Sequence, residues 1–225
     1  MKLQFREQVE FFKAKRNVLV DDWLDIPLEE HDAVFALPGV RDIEVLQLVR
    51  EAMARAIGDG ETLRQFTRST RHIADAISYW RSEDFEDWAR RVYEHHLRQS
   101  YNAARLVQLQ RLSRVRPYWR YKACDYISRH QQHHSQWDGL VLSHNDPWWK
   151  THFPANGWAC KCYIEGISER DLKAIGKGGA DTAPAVEWID AAVGARVVRT
   201  PLGIDPGFAY APGWAYRKQH VVADG

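Results

Sequence analysis

The chain has 225 residues, 45% of them hydrophobic and 27% charged, and a formal net charge of +1. That balance argues against wholesale disorder and fits one sizeable folded domain or two small ones. No apolar run reaches the roughly 20 residues that cross a bilayer, so no membrane is expected among the partners. The start, Met1-Lys2-Leu3-Gln4-Phe5-Arg6-Glu7, lacks the apolar stretch of a secretory signal, and folding in a cytoplasm is expected. The three cysteines, Cys124, Cys160 and Cys162, are too few for a disulfide framework, and their odd count fits a reducing compartment.

In chain order, residues 6–15 read as a short helix. Asp25-Ile26-Pro27-Leu28-Glu29-Glu30 looks like a helix start with Pro27 in the first turn. Pro38-Gly39 marks a break. From Asp42, the apolar residues Ile43, Val45, Leu46, Val49, Met53 and Ile57 recur at helical spacing as far as Gly58-Asp59-Gly60. Thr62 to Ile73 predicts another helix, anchored by Leu63 and Phe66. A longer helix is expected from about Asp84 to Arg114, with Val92, Tyr93, Leu97, Tyr101, Ala104 and Leu109 inward, and Pro117 stopping it. The adjacent His95-His96 pair reads either as metal ligands or, the commoner case, as one buried and one exposed member.

Beyond Pro117 the texture becomes aromatic. Tyr118 to Ile127 is partly alternating and predicts a strand; Gly139 to Leu142 and Lys161 to Ile164 predict two more. Five tryptophans (Trp119, Trp137, Trp148, Trp149, Trp158) fall within this region and imply a small aromatic core. Ser168 is placed to cap a helix, with Asp171 at the capping-box position. Residues 174–184 are Gly/Ala-rich and read as flexible, and the end is loop-like. The expected architecture is α+β. A helical N-terminal region spans 1–80. A core of long helix plus strand-bearing module spans 81–173, and a flexible linker and tail spans 174–225.

Charge is distributed unevenly. Between Arg90 and Lys122, nine basic residues face the single acid Glu94, a local excess of eight, whereas the first 60 residues are acidic on balance. Arg91, Arg98 and Arg105 repeat every seven residues and fall in one stripe of the long helix. The stripe reads either as a solvated face or as a sequence-independent contact with duplex DNA.

An ordered set of motifs follows Cys124. It comprises Asp125, His134, Gly139, Asp146-Pro147-Trp148, Pro154-Ala155-Asn156-Gly157-Trp158, Cys160-Lys161-Cys162 and Ser168-Glu169-Arg170-Asp171-Leu172, and ends on Gly203-Ile204-Asp205-Pro206-Gly207-Phe208 and Ala211-Pro212-Gly213. In order and spacing this set resembles the phage Mu protein F-like family, and Glu30-His31 with Phe35 and the helices to Phe66 are similar as well. Two departures are Glu94-His95-His96, where the family carries an arginine-containing segment, and Ala155, where it has a second proline. The resemblance implies a minor head protein acting in head morphogenesis, made in the host cytoplasm and located in the capsid interior of the virion. Its implied partners are the portal protein, a scaffold or major capsid protein, and packaged double-stranded DNA. Such a protein is structural rather than an enzyme, and no catalytic residue is assigned.

Two constellations carry candidate chemistry. Side chains two apart in an extended segment share a face, so Cys160 and Cys162 suit chelation of one soft metal, with His134 and Cys124 as further ligands of a structural zinc. The competing reading is that both cysteines pack against the tryptophans. Asp125, Arg129, His130, His133 and His134 form a polar cluster that a nuclease-like or toxin-like effector would use, with a histidine as general base and the arginine stabilising anionic charge. The competing reading is a polar loop, since no nucleophile motif or phosphate loop accompanies it. Asn156-Gly157 reads as a tight turn in which the glycine supplies a positive φ.

Overall fold

In the computed structural model the described residues are 5–76, 85–124 and 132–216. The fold is α+β and divides into two compact units, one of residues 1–104 with 215–225 and one of residues 105–214.

The first unit begins with α1 (Arg6–Lys13), followed by β1 (Arg16–Asn17) and β2 (Val34–Phe35). The two short strands pair in parallel, Arg16 with Val34 and Asn17 with Phe35, inside a region whose sequence reads as wholly helical. Helix α2 (Ile43–Gly58) starts where Asp42 accepts a hydrogen bond from Glu44 N. It buries Val45, Leu46, Val49, Ala52, Met53 and Ala56, one stripe at helical spacing. Ile43 obeys the spacing but sits in the first turn and is exposed. Helix α3 (Leu63–Thr70) opens with a reciprocal capping box between Thr62 and Gln65. Helix α4 (Phe85–Arg111) adds Trp88, Ala89 and Val92 to a core with Phe12, Phe35, Leu46, Met53 and Phe66. Each Val, Leu, Phe or Met side chain removed from water contributes about 1.5–3 kcal/mol. The chain's return is tied here too: Ala215 N donates to Asp32 Oδ2, and Tyr216 meets Phe11 edge to face.

The second unit is built on a three-stranded antiparallel sheet in the order β4-β3-β5: β3 (Tyr118–Lys122), β4 (Val141–Ser143) and β5 (Tyr163–Ile167). Period-two alternation decides its faces. Trp119 and Tyr121 are fully buried, and Tyr118, Arg120 and Lys122, which alternate with them, point the other way. Trp119 packs on Trp149 and Phe153, and Tyr121 on Trp137 and Trp148, which is the small aromatic core the tryptophan density implies. Opposite Trp119 stands Gly166. A Cβ there would come within 2.8 Å of Leu109 Cδ2, so the glycine lets this end of α4 lie close against the sheet. The predicted strand over 118–127 ends at Lys122 within the described residues; its positions 125–127 lie outside them.

Three short helices complete the frame: α5 (Gln132–Gln136), α6 (Trp149–His152) and α7 (Glu169–Ala174). Ser168 and Asp171 form the expected capping box on α7. Between 174 and 184, read as flexible, Asp181 is pinned: its N–H donates to Val141 O at 2.7 Å, and its Oδ2 accepts from Val141 N at 2.8 Å. Further on, β6 (Trp188–Val193) and β7 (Arg196–Pro201) form an antiparallel hairpin across a turn in which Gly194 has φ of 57°. No strand was assigned there from the sequence, although Ile189, Ala191 and Val193 fall two apart. Most of the hairpin is exposed on both faces.

Candidate metal centre

His134, Cys160 and Cys162 converge although 26 residues separate the histidine from the first cysteine. Their ligand atoms all lie within 4.8 Å of one another. The residues are 1%, 1% and 2% exposed, respectively. α5 carries the histidine between β3 and β4. The cysteines occupy the extended approach to β5, where their two-residue spacing turns both side chains to the same side. His134 stacks on Trp137 at 5.3 Å.

The imidazole is held from both ends. Nε2 is 2.8 Å from Gly203 O. A carbonyl only accepts, so Nε2 carries the proton, and in the neutral ring Nδ1 presents a lone pair. That lone pair faces both sulfurs, Cys160 Sγ at 3.7 Å and Cys162 Sγ at 3.6 Å. A hydrogen bond from Cys160 holds the Cys162 thiol well below its ordinary pKa, assisted by His134 and Tyr121. The same bond and burial push the Cys160 thiol up. Burial, then the two cysteines, raise Tyr121. Its hydroxyl donates to Asn156 Oδ1 at 3.0 Å.

Asn156 connects the cluster to the end of the chain. It is fully buried, and its carbonyl accepts from Asp205 N at 3.0 Å. Asp205 Oδ2 in turn accepts from Trp158 N at 2.9 Å. Gly157 lies under this carboxylate: a Cβ there would sit 2.6 Å from Asp205 Cγ. Its φ is not positive, contrary to the turn expected for Asn156-Gly157; the positive φ falls instead on Ala159, at 58°. Close approach of another chain segment, rather than turn handedness, is what requires a glycine at 157. Gly203 meets both demands. Its φ is 86°, and a Cβ would lie 2.7 Å from His133 Cβ and 2.9 Å from the Trp137 ring.

The remaining expected site residues fall elsewhere. Cys124 is half-buried just past β3 and is not in the cluster. Asp125, Arg129 and His130 lie outside the described residues. His133 is half-buried on α5. On α4, Arg91 is exposed and Arg98 and Arg105 are half-buried; Arg105 donates to Gln108 Oε1 at 3.0 Å and reaches Ile164 O at 3.5 Å. Three members of the basic run are matched by acids distant in sequence. Arg116 pairs with Asp171 at 3.1 Å, Arg120 with Glu165 and Lys122 with Asp138, while Arg90 pairs with Asp87.

One cluster escaped the sequence reading. His95 and His96 are both buried, not one in and one out. His31 stacks on Trp23 at 3.9 Å, His95 meets the same ring edge on at 4.8 Å, and His96 lies 4.6 Å from Phe35. Burial lowers His31 and His95 to about 3 and His96 in the same direction, with nearby cationic groups adding to the effect. Buried Lys15 donates to the carbonyls of His31 and Val34 and is lowered to about 8. The sequence signal, adjacent histidines that begin 64 residues after His31, has no local periodicity to mark it.

In this α+β chain the histidine, the Cys-x-Cys pair and the Gly203–Asp205 stretch, far apart in sequence, meet at one buried cluster. The chain belongs to the family described as phage Mu protein F like protein, whose model matches residues 47–165. It is similar to protein F of Escherichia phage Mu, named for capsid assembly, with 27% identity over 185 residues covering 76% of this chain and 42% of that protein. It is also similar to the FluMu F protein of a Mu-like prophage in Haemophilus influenzae, with 26% identity over 183 residues covering 77% of this chain and 44% of that protein. The chain therefore spans less than half the length of these curated relatives. No solved structure matches it.

Proposed function

We propose that the chain is a minor head component of a Mu-like phage, acting in head morphogenesis from the capsid interior against the portal or another head protein. The observation that carries this reading is the family match across 47–165 together with a relative named for capsid assembly. The site supports a structural rather than a catalytic part. His134, one of the three histidines offered for acid–base work, is buried with Nε2 on Gly203 O and Nδ1 on two sulfurs, turned away from any substrate that solvent would deliver. Among the described residues no helix is long and apolar enough to cross a membrane.

Packaged duplex DNA is the second proposed contact, through Arg91, Arg98 and Arg105 on α4, and it is sequence-independent because phosphate contacts carry no base readout. The test is genetic and biochemical. In particles made by the phage or induced prophage that encodes the chain, it should co-purify with heads, resist external protease until the capsid is opened, and cross-link to the portal or a neighbouring head protein. Deleting its gene should leave defective heads. Normal particles and full infectivity without it overturn the reading.

A further inference from the structure

Two sulfurs lie at nearly equal distance from one imidazole lone pair, 3.6 and 3.7 Å. A single nitrogen lone pair accepts one good hydrogen bond along its axis, so two equidistant thiols are poorly served by hydrogen bonding alone. A metal ion accounts for the arrangement. A tetrahedral zinc with Zn–N of about 2.0 Å and Zn–S of about 2.3 Å holds its nitrogen and sulfur ligands about 3.6 Å apart. The other ring nitrogen donates to a backbone carbonyl, Gly203 O at 2.8 Å, the bond that usually fixes the tautomer of a metal-bound histidine. Two thiolates and a neutral imidazole form a soft donor set suited to zinc and unlike the all-oxygen sets of magnesium or calcium.

We propose that His134, Cys160 and Cys162 bind one zinc ion, supplying three of its four tetrahedral positions, and that this ion locks the C-terminal Gly203–Phe208 segment onto the aromatic core. The second half follows from connectivity. Gly203 O holds the ligand histidine, and Asp205 bonds both Asn156 O and Trp158 N, on the turn that leads into Cys160. The ion fixes the ring that Gly203 caps and the turn that Asp205 clasps, so it joins α5, the approach to β5 and the terminal segment at one point. This inference is independent of the capsid reading: a zinc-free protein could still assemble heads, and a zinc protein could fail to.

The test uses the full chain, purified without a polyhistidine tag under reducing conditions. Elemental analysis should find about one zinc per chain, since the proposed site is single. Apo protein titrated with cobalt(II) alone should develop the thiolate-to-metal charge-transfer absorption of a two-sulfur site. His134→Ala and Cys162→Ser should each lower retained zinc at least tenfold, while Cys124→Ser, outside the cluster, should keep the wild-type content. Chelation should lower the melting temperature and speed amide exchange across 203–208 more than across α2. Wild-type protein purified metal-free, with no cobalt band, overturns the site even if the variants misfold. Equal loss in Cys124→Ser overturns the three-residue set, and copper or iron in place of zinc overturns the assignment of the ion. Unchanged exchange at 203–208 on chelation overturns the lock.

Discussion

Gly157→Ala isolates the clasp between the Asn156-Gly157-Trp158 turn and the end of the chain. The added methyl would lie 2.6 Å from Asp205 Cγ and 3.2 Å from its Cβ, well inside ordinary carbon–carbon contact. Backbone handedness contributes nothing, because Gly157 is not among the positive-φ glycines; the whole effect is steric. To relieve the overlap Asp205 must swing away and surrender the bond its Oδ2 accepts from Trp158 N at 2.9 Å. A hydrogen bond to a charged acceptor is worth about 1.5–3 kcal/mol net, and overpacking costs about 1–3 kcal/mol. The two overlap, since moving the carboxylate trades one for the other, so the expected loss is about 2–3 kcal/mol. For a chain of this size, 1 kcal/mol moves the melting temperature by about 2–4 °C, giving a fall of about 4–12 °C in a near-UV melt that follows the tryptophans. Asp205→Ala separates the terms. It forfeits the bond but removes the obstacle, so the double variant should melt close to Asp205→Ala alone. A Gly157→Ala protein within 1 °C of wild type, or strictly additive costs in the double variant, would refute the steric account.

Acid should weaken the first unit before carboxylates protonate. His31 and His95 sit at about 3 in the fold against about 6.5 unfolded, so between those values the unfolded chain binds more protons. Stability from these groups is therefore complete above about pH 6.5 and falls as pH drops, by up to about 1.4 kcal/mol per unit for each histidine. The facing charged groups are Lys15, whose cation opposes protonation, and Asp32. Urea midpoints that stay flat from pH 7 to 5 would contradict this. For DNA, converting Arg91, Arg98 and Arg105 to Gln should reduce the log–log salt slope by about 2.7 units if each touches one phosphate, at about 0.9 per phosphate. A salt titration with unchanged slope and an intact fold would remove duplex DNA from the partners of this helix.

Helices α1 to α4 and α7 were legible because their signals are local, whereas the one-turn α5 and α6 were not. Asp42, Thr62 and Ser168 announce their caps within three residues, and the apolar stripe of α2 repeats within a turn. Strands β3 and β5 were legible from aromatic alternation and the Cys-x-Cys approach. The hairpin of β6 and β7 was not, because a ribbon exposed on both faces needs no one-sided pattern. Charge was legible only in part. An excess of eight over Arg90–Lys122 reads as a basic patch, yet Asp138, Glu165 and Asp171 fold back onto it from 16 to 55 residues away. A run of one sign in sequence becomes a field only if the fold keeps the opposite sign elsewhere.

The candidate site was half legible for the same reason. Spacing alone put Cys160 and Cys162 on one side, and order along the chain brought in His134. Nothing local tells a reader that Gly203 O holds the far nitrogen of that histidine, or that Gly157 must be bare because Asp205 lies over it. Both partners come from beyond residue 165, outside the span that the family model matches. Yet they are the Gly and Asp of the terminal Gly203–Phe208 motif. That gives the motif a physical cause. Gly203 combines a positive φ, contact with Trp137 and a carbonyl on His134, and no other residue type satisfies the first two together. Asp205 supplies a short carboxylate that reaches the Trp158 N–H while its own N–H donates to Asn156. The terminal segment is therefore part of the same structural unit as the Cys-x-Cys approach, and a chain cut before residue 200 would expose the His134 ring and leave the Asn156 carbonyl without its partner.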